Sequence, residues 1–504
     1  MNAATKVVFN TAVLYAKILV SMAIAFVSVP LVLRALGTSD YGLYNLVAGV
    51  VAMLSFLNNS MAVSSQRYMS VAMGANDVQQ INSVYNTSFL LHLILGVLVI
   101  IGLEIGSFFI DNLNIEADRI EVAQIIFQFL ILTTFSRIIS VPFDAIMNAH
   151  EDMIAFSVIE LIDSVLMLMT AVVLQYLTGD KLIFYGLAVL GIAVLTFFMK
   201  YGWSHWKYKN YRINIIKYKD QLQLKSMFGF AGWNLFGGLA FMGRNQGVAV
   251  IINLFLGTIA NAAYGVANQI NGALSHFAST FQKAINPQLM KSEGMGNRER
   301  LLKISFISSK FSVLALCIFA VPLIVEMPDV LQIWLRGNIP PYTVELSCCI
   351  LSLSIVYQYS MGIMSSIQAT GNIRNYQITM GCLILMNIPL AYILLKMEFP
   401  VYFVTISCII IELISLIVRI VFAKKLVNMN FKDFWSQVIR PTLIVVVVPL
   451  ICCLIPHYII SNMWGRLVCT CGLYVFLYLL MMWYIAFDKS QRNTILVKVH
   501  IIKP

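Results

Sequence analysis

Lys17, Arg244 and Lys310 stand inside stretches of sequence that are otherwise almost wholly apolar. So do Glu160 and Asp163, whose i, i+3 spacing puts both carboxylates on one face of a helix. An ionisable side chain within a bilayer is expensive, which makes each of these a candidate for function. Arginine offers a planar fork to phosphate oxygens and lysine a compact point charge. Cations facing one lumen would therefore suit an anionic substrate such as a diphosphate. The plainer alternative for Lys17 and Lys310 is an ammonium snorkelling to the inner interface. A carboxylate at 160 or 163 could be protonated in one state and paired with a cation in another, which would admit H+ or Na+ as a coupling ion. The plainer alternative there is a structural ion pair.

A second pattern occupies residues 258–285. Asn261, Tyr264, Asn268, Asn271, Ser275, Ser279 and Gln282 recur at three- and four-residue steps and form one polar stripe on a helix. A face turned to lipid would leave those amides without partners, so the stripe faces a lumen or a neighbouring helix. The preceding stretch carries glycine at 229, 232, 237, 238, 243 and 247, which suits either a bending helix or close packing.

The elements that must position these groups are membrane spans. Of 504 residues, 60% are hydrophobic and 11% charged, at a mean hydropathy of +0.83, whereas soluble domains carry roughly 25% charged residues. A helix of about 20 apolar residues crosses a bilayer. On that basis fourteen spans are predicted, near 8–33, 41–61, 84–109, 121–140, 153–176, 181–199, 226–255, 258–285, 303–325, 342–369, 375–395, 400–424, 441–460 and 464–486. The fold class is therefore an all-α polytopic membrane protein. The N-terminal apolar run is too long for the h-region of a cleavable signal. Pro389 predicts a kink in the eleventh span.

Alternate loops, counted from the N-terminus, hold 25 of the 34 Lys and Arg residues, and the opposite loops hold 6; the other three are Lys17, Arg244 and Lys310. That asymmetry places both termini in the cytoplasm. It also accounts for the net charge of +11 without a nucleic-acid partner. The longest polar break, 200–225, carries Lys200, Lys207, Lys209, Arg212, Lys217, Lys219 and Lys225 against Asp220 alone. It reads as a cytoplasmic linker, with contact to anionic membrane lipids as a secondary role.

A repeat is visible. Leu36-Gly37-Thr38 recurs as Leu256-Gly257-Thr258 and Tyr44 as Tyr264, at a spacing of 220, while Met73-Gly74 and Met295-Gly296 recur at 222. With the matching span positions this gives two parallel six-helix repeats, 1–199 and 226–425, joined by the linker 200–225. Residues 426–504 add two further spans and a cytoplasmic tail. Parallel repeats of this kind enclose a central cavity. The outer loops are too short for a catalytic domain, and no GxxxxGK[ST], nor GxGxxG after a strand, is present, so no enzyme is expected. No cofactor or metal is expected either. The nine cysteines all lie within apolar spans from Cys317 onward, without Cys-x-x-Cys or paired His spacing. A chain containing both halves is expected to act as a monomer.

Four stretches together resemble the polysaccharide or O-antigen flippase family, within the superfamily that includes multidrug and toxic-compound extrusion transporters. They are LGTSDYGLYNLVAGVV (36–51), SSQRYMSVAMGAND (64–77), VPFDAIMNAHEDM (141–153) and the long segment 232–294, from GWNLFGGLAFMGRNQG to AINPQLMKSEG. The resemblance covers most of 8–425. It implies a bacterial inner-membrane protein that moves undecaprenyl-diphosphate-linked oligosaccharide repeat units to the periplasmic leaflet by alternating access. It also implies a cationic central cavity, as Lys17 and Arg244 suggest independently, and company with polysaccharide polymerase machinery. Arg67, Asn245, Gln246, Asn268 and Gln269 carry over as motif members without assigned roles. The nearest alternative is an ion-coupled extrusion antiporter for small cations, which would need an acidic cavity. A membrane-embedded sugar polymerase or ligase would need a large outer loop, and a scaffold would not need the repeat or the polar stripe.

Overall fold

The computed structural model describes residues 3–52, 55–108, 115–218, 220–487 and 492. Lys219 and most of the predicted C-terminal tail lie outside the described residues. All regular elements among the described residues are helical: α1 Ala3–Ala52, α2 Ser55–Gly74, α3 Val78–Ser107, α4 Ile120–Ala149, α5 Met153–Val173, α6 Lys181–Lys207, α7 Gln221–Gly294, α8 Arg298–Val325, α9 Met327–Trp334, α10 Thr343–Tyr359, α11 Met361–Thr370, α12 Arg374–Leu385, α13 Asn387–Lys396, α14 Tyr402–Val427, α15 Phe431–Phe434, α16 Arg440–Ile459 and α17 Met463–Met481.

Eleven of these rods are long and apolar enough to cross a bilayer, α12 with α13 counting as one; α10 and α11, bent by 43° at Ser360, make a twelfth. The two longest helices are each broken once. Gly37 in α1 has φ 79°, ψ 173°, and Gly257 in α7 has φ 75°, ψ −173°. Only glycine occupies that region without strain. Counting each broken helix as two gives the fourteen spans expected. The two LGT motifs thus mark the same backbone break, 220 residues apart. The kink expected at Pro389 is a break at Met386, where Pro389 offers no N–H to the Leu385 carbonyl.

The repeat keeps one spacing beyond these turns, which corrects the 222 offset read from the Met-Gly pairs. Asn76 (φ 55°) and Gly296 (φ 69°) are the left-handed residues that end α2 and α7. Asp77 and Asn297 then cap α3 and α8 with their side chains. Both pairs are 220 apart, and so are Gly74 and Gly294. The matching methionines mislead because glycine serves as close packer at 74 and 294 but as turn residue at 296.

The described chain forms two compact units. One comprises Lys6–Leu235 with Met290–Gly296. Its core gathers Met69, Val84, Phe143, Met147 and Met227 around Phe143, whose ring meets those of Tyr85, Phe89, Phe197 and Tyr201 edge-on. At its polar end α2 crosses the last turn of α7 so tightly that a Cβ on Gly74 would overlap the Lys291 backbone, and one on Gly294 the Val71 backbone. Lys291 also binds Glu151 at 2.5 Å, and the Asn10 amide donates to the Glu151 carbonyl.

The described part of the segment 200–225 is tied to the helices around it. α6 runs on to Lys207, and α7 begins at Gln221. Between them, Asn82 and Asn86, one turn apart on α3, hold the chain extended. Asn82 donates to the Asn210 carbonyl and accepts from the Arg212 amide; Asn86 donates to the Arg212 carbonyl and accepts from the Asn214 amide. Tyr211 and Ile213 pack on the core, while Arg212 points out. Asp152 completes the anchorage, accepting from Trp203 Nε1, Lys207 Nζ and the Tyr208 hydroxyl at 2.7–2.9 Å.

The other unit comprises Met1–Thr5, Phe236–Leu289 and Asn297–Pro504. Here α7 packs closely on α12 and α13: a Cβ on Gly237 would overlap the Gln377 side chain, and one on Gly247 that of Ile388. Close packing therefore accounts for those two glycines. The C-terminal helices do not stand apart. Lys310, Leu314 and Cys317, on one face of α8, meet the Ala486 carbonyl, the Tyr478 hydroxyl and the Tyr474 hydroxyl at 2.7, 2.8 and 3.1 Å. At the other end of α8, Glu326 and Asp329 bind His457 and Arg466.

Candidate functional site

The carboxylates and cations singled out in the first unit meet. Lys17 on α1 lies 3.6 Å from Glu160 on α5, and Glu160 also binds Lys200 on α6 at 2.9 Å. Lys200 in turn binds Asp144 on α4 at 2.9 Å. The four side chains form a relay of alternating sign, Lys17–Glu160–Lys200–Asp144, drawn from four helices. Asp163, one turn along from Glu160, accepts from the Thr196 hydroxyl at 3.2 Å. Lys200 is 5% exposed, which corrects its placement as a linker charge. Its buried ammonium is tolerable only because two carboxylates compensate it. Sequence spacing hid this partner, since Lys200 opens a run of cations that extends into the polar segment.

The second unit has its own cluster. Arg244 on α7, buried at 8% exposure, stacks over Phe241 at 4.6 Å and donates to the neighbouring Asn245 amide oxygen at 2.9–3.1 Å. Phe241 meets Tyr357, and Arg419 lies 5.5 Å over the Tyr357 ring. Arg419 is fully buried, paired with Glu412 on the same helix and donating to Ser360 at the α10–α11 bend. Glu412 and Arg419 lie seven residues apart, two turns along α14. The position of Arg419 resembles that of Lys200: each is a buried cation near the polar end of the sixth helix of its repeat. Among the described residues no carboxylate pairs with Arg244.

The polar stripe on α7 divides. Asn271 accepts from Ser354 on α10, and Gln282 bonds Ser308 on α8 and Ser365 on α11. These two amides brace neighbouring helices, one of the two alternatives open to the stripe. Asn268 donates to the Tyr264 carbonyl one turn back. Gln246 and Gln269 are exposed, with no hydrogen-bond partner among the described residues. Lys310 donates to the Ala486 carbonyl at 2.7 Å. Arg67 is 7% exposed, its guanidinium 4.3 Å from the Tyr68 ring and 5.1 Å from that of Phe230.

Among the described residues no cluster of His, Cys, Asp and Glu could hold a metal ion, and the nine cysteines are free thiols.

Residues 7–293 match a family described as polysaccharide biosynthesis protein. No curated protein matches the chain. Among solved structures, the chain is similar to an outward-facing multidrug resistance MATE family transporter of the MOP superfamily, at 15% identity over 85% of this chain and 98% of that one, with a TM-score of 0.71. A MATE structure in the straight conformation gives 16% identity, 84% and 96% coverage and a TM-score of 0.72. A MOP superfamily transporter from Pyrococcus furiosus, described as having a binding pocket of reversed polarity that suggests a different function, gives 16% identity, 84% and 95% coverage and 0.70. At these identities the likeness establishes the fold, a MOP-superfamily transporter fold.

Proposed function

This chain belongs to the polysaccharide biosynthesis protein family, and from that premise we propose that it is a flippase for undecaprenyl-diphosphate-linked oligosaccharide, moving the lipid from the cytoplasmic to the periplasmic leaflet of a bacterial inner membrane. Both termini and the 208–220 segment lie on the cytoplasmic side in this reading, in keeping with the 25-to-6 asymmetry of loop cations. Transport proceeds by alternating access.

The observation that carries the reading is Arg244. A guanidinium inside a span needs a counter-charge, and the described residues supply none: two arginines, Arg244 and Arg419, share a cluster with one glutamate. A diphosphate brought by the substrate would complete it through the planar donor fork. Gln246 and Gln269 support the same reading. An exposed amide within a span demands water or a polar ligand, and a sugar offers hydroxyls. Lys17 and Arg67 remain candidates for the head group, whereas Lys310 and Asn271 are spent on packing. The extrusion alternative needs an acid free to meet a cation. Here Glu160, Asp144 and Glu412 each hold a lysine or arginine, and Asp163 holds Thr196.

The test is leaflet translocation of a fluorescent polyprenyl-diphosphate oligosaccharide in proteoliposomes. Wild type is expected to move the lipid, Arg244→Lys to retain part of the rate, and Arg244→Ala to lose it while remaining folded. Wild-type protein that moves no such lipid but exports a small cation against a proton gradient would overturn the assignment in favour of the antiporter.

A further inference from the structure

A groove of about 490 Å³ runs between α5 and α6, outside the charged relay and unused by the transport reading. Ile154 and Val158 form one wall, at 51% and 48% exposure, and Met199 lies opposite. Such apolar faces on the flank of a membrane bundle are covered by acyl chains. The groove ends at Trp203, Lys207 and Asp152. Trp203 is backed by Trp206, 66% exposed, at a ring distance of 5.4 Å, and tryptophans of this kind sit at the level of lipid head groups.

Beyond Lys207 the chain continues into a cationic segment. Lys207, Lys209, Arg212 and Lys217 are exposed, and the ladder from Asn82 and Asn86 holds the part that carries Arg212. The nearby acids are consumed. Asp152 is shared among Lys207, Trp203 and Tyr208, and Asp220 caps α7 through the Leu222 and Gln223 amides. We infer that this groove is a binding site for an anionic phospholipid, one acyl chain lying along Ile154 and Val158 and the phosphate held by the Lys207–Arg212 strip. The occupant follows from charge complementarity: Lys207 at the groove's end is already paired with Asp152, and the segment it leads into adds three exposed cations with no acid of their own among the described residues, Lys209, Arg212 and Lys217, which fit an anionic head group better than a zwitterionic one. The site lies on the cytoplasmic leaflet in the orientation proposed above, but lipid present in both leaflets makes its test independent of that orientation and of the substrate.

The full-length protein is reconstituted in vesicles of phosphatidylcholine or phosphatidylglycerol brominated in mid-chain, and the contribution of Trp203 to emission is isolated by comparison with Trp203→Phe. Quenching of Trp203 is expected to saturate at an anionic mole fraction on the order of tenfold lower than the zwitterionic one. Lys209→Gln with Arg212→Gln, both exposed side chains, should remove most of that preference. Val158→Phe, a lipid-facing change that fills the groove, should abolish quenching by either lipid. Equal quenching by both head groups, or a preference indifferent to the charge variant, would refute the site. Relief of quenching by polyprenyl phosphate at lower concentration than by unlabelled phosphatidylglycerol would refute the assigned occupant.

Discussion

Adding one methyl group to the crossing of α2 with the end of α7 should change which conformation the protein prefers. At Gly74 a Cβ would overlap the Lys291 carbonyl, and at Gly294 that of Val71, so backbone meets backbone with no flexible side chain to yield. Restoring an ordinary contact near 3.4 Å requires the helices to part by about 1 Å. Overpacking of this kind costs about 1–3 kcal/mol, or roughly a 5- to 150-fold change in an equilibrium. Because both glycines guard one crossing, parting it for the first methyl relieves the second. Gly74→Ala with Gly294→Ala should therefore cost little more than either alone, the signature of coupled sites. Spin labels at the exposed positions Gln79→Cys and Met295→Cys, with Cys382 and Cys469 replaced by serine, read the separation at this end. A single short distance is expected for the parent, with a new longer population in each alanine variant and a similar population in the double variant. An unchanged distance distribution, or fully additive effects, would refute the reasoning.

Three further outcomes follow from the same geometry. Lys200→Ala leaves Asp144 and Glu160 without their shared cation and should cost about 3–5 kcal/mol, seen as a lowered melting temperature; adding Glu160→Gln to it should recover part of the loss. Gly37→Ala and Gly257→Ala should each cost about 1–3 kcal/mol through backbone strain alone, since a Cβ at either position meets nothing within 4 Å; comparable losses in thermal unfolding are the check. Burial raises the Asp152 carboxyl pKa, but hydrogen bonds from Lys207, Trp203 and Tyr208 outweigh it and hold the group below its ordinary value of 3.8. Its contribution to docking the 208–218 segment is thus fully present above that value and disappears as pH falls through the still lower folded pKa. Trp203 emission should stay constant from pH 8 to about 4 and shift only below, and Asp152→Ala should show the shifted spectrum at pH 8.

The spans were legible because lipid imposes a simple rule on composition, and the repeat because only glycine can occupy the breaks at 37 and 257. Glu160 and Asp163 were legible as costly groups within a span. Their surroundings were not: Lys200, Asp144 and Arg419 stand near span ends, where charge alone reads as loop. Burial by neighbouring helices separates these from Lys209 or Arg212, and sequence carries no local sign of it. The stripe on α7 was visible as one face, yet which amides meet a helix depends on where Ser308, Ser354 and Ser365 fall on α8, α10 and α11. The anchorage of the linker was hidden for a further reason. Asn82 and Asn86 look like ordinary polar residues at the start of a span, and their role as a backbone ladder needs a segment far ahead in the chain.

That ladder bears on how the protein is made. Asn82 and Asn86 are synthesised long before residues 210–214, so their docking partner arrives once α1 to α6 have emerged and before α7 does. The segment can then seal the first six helices against slippage while the second set is still on the ribosome. Lys291 takes its place beside Glu151 only after most of α7 has been added, several seconds later at about 5–20 residues per second. Until that moment Glu151 faces an unfilled position, and the early intermediate should be most open to chaperones and proteases at that end of α5.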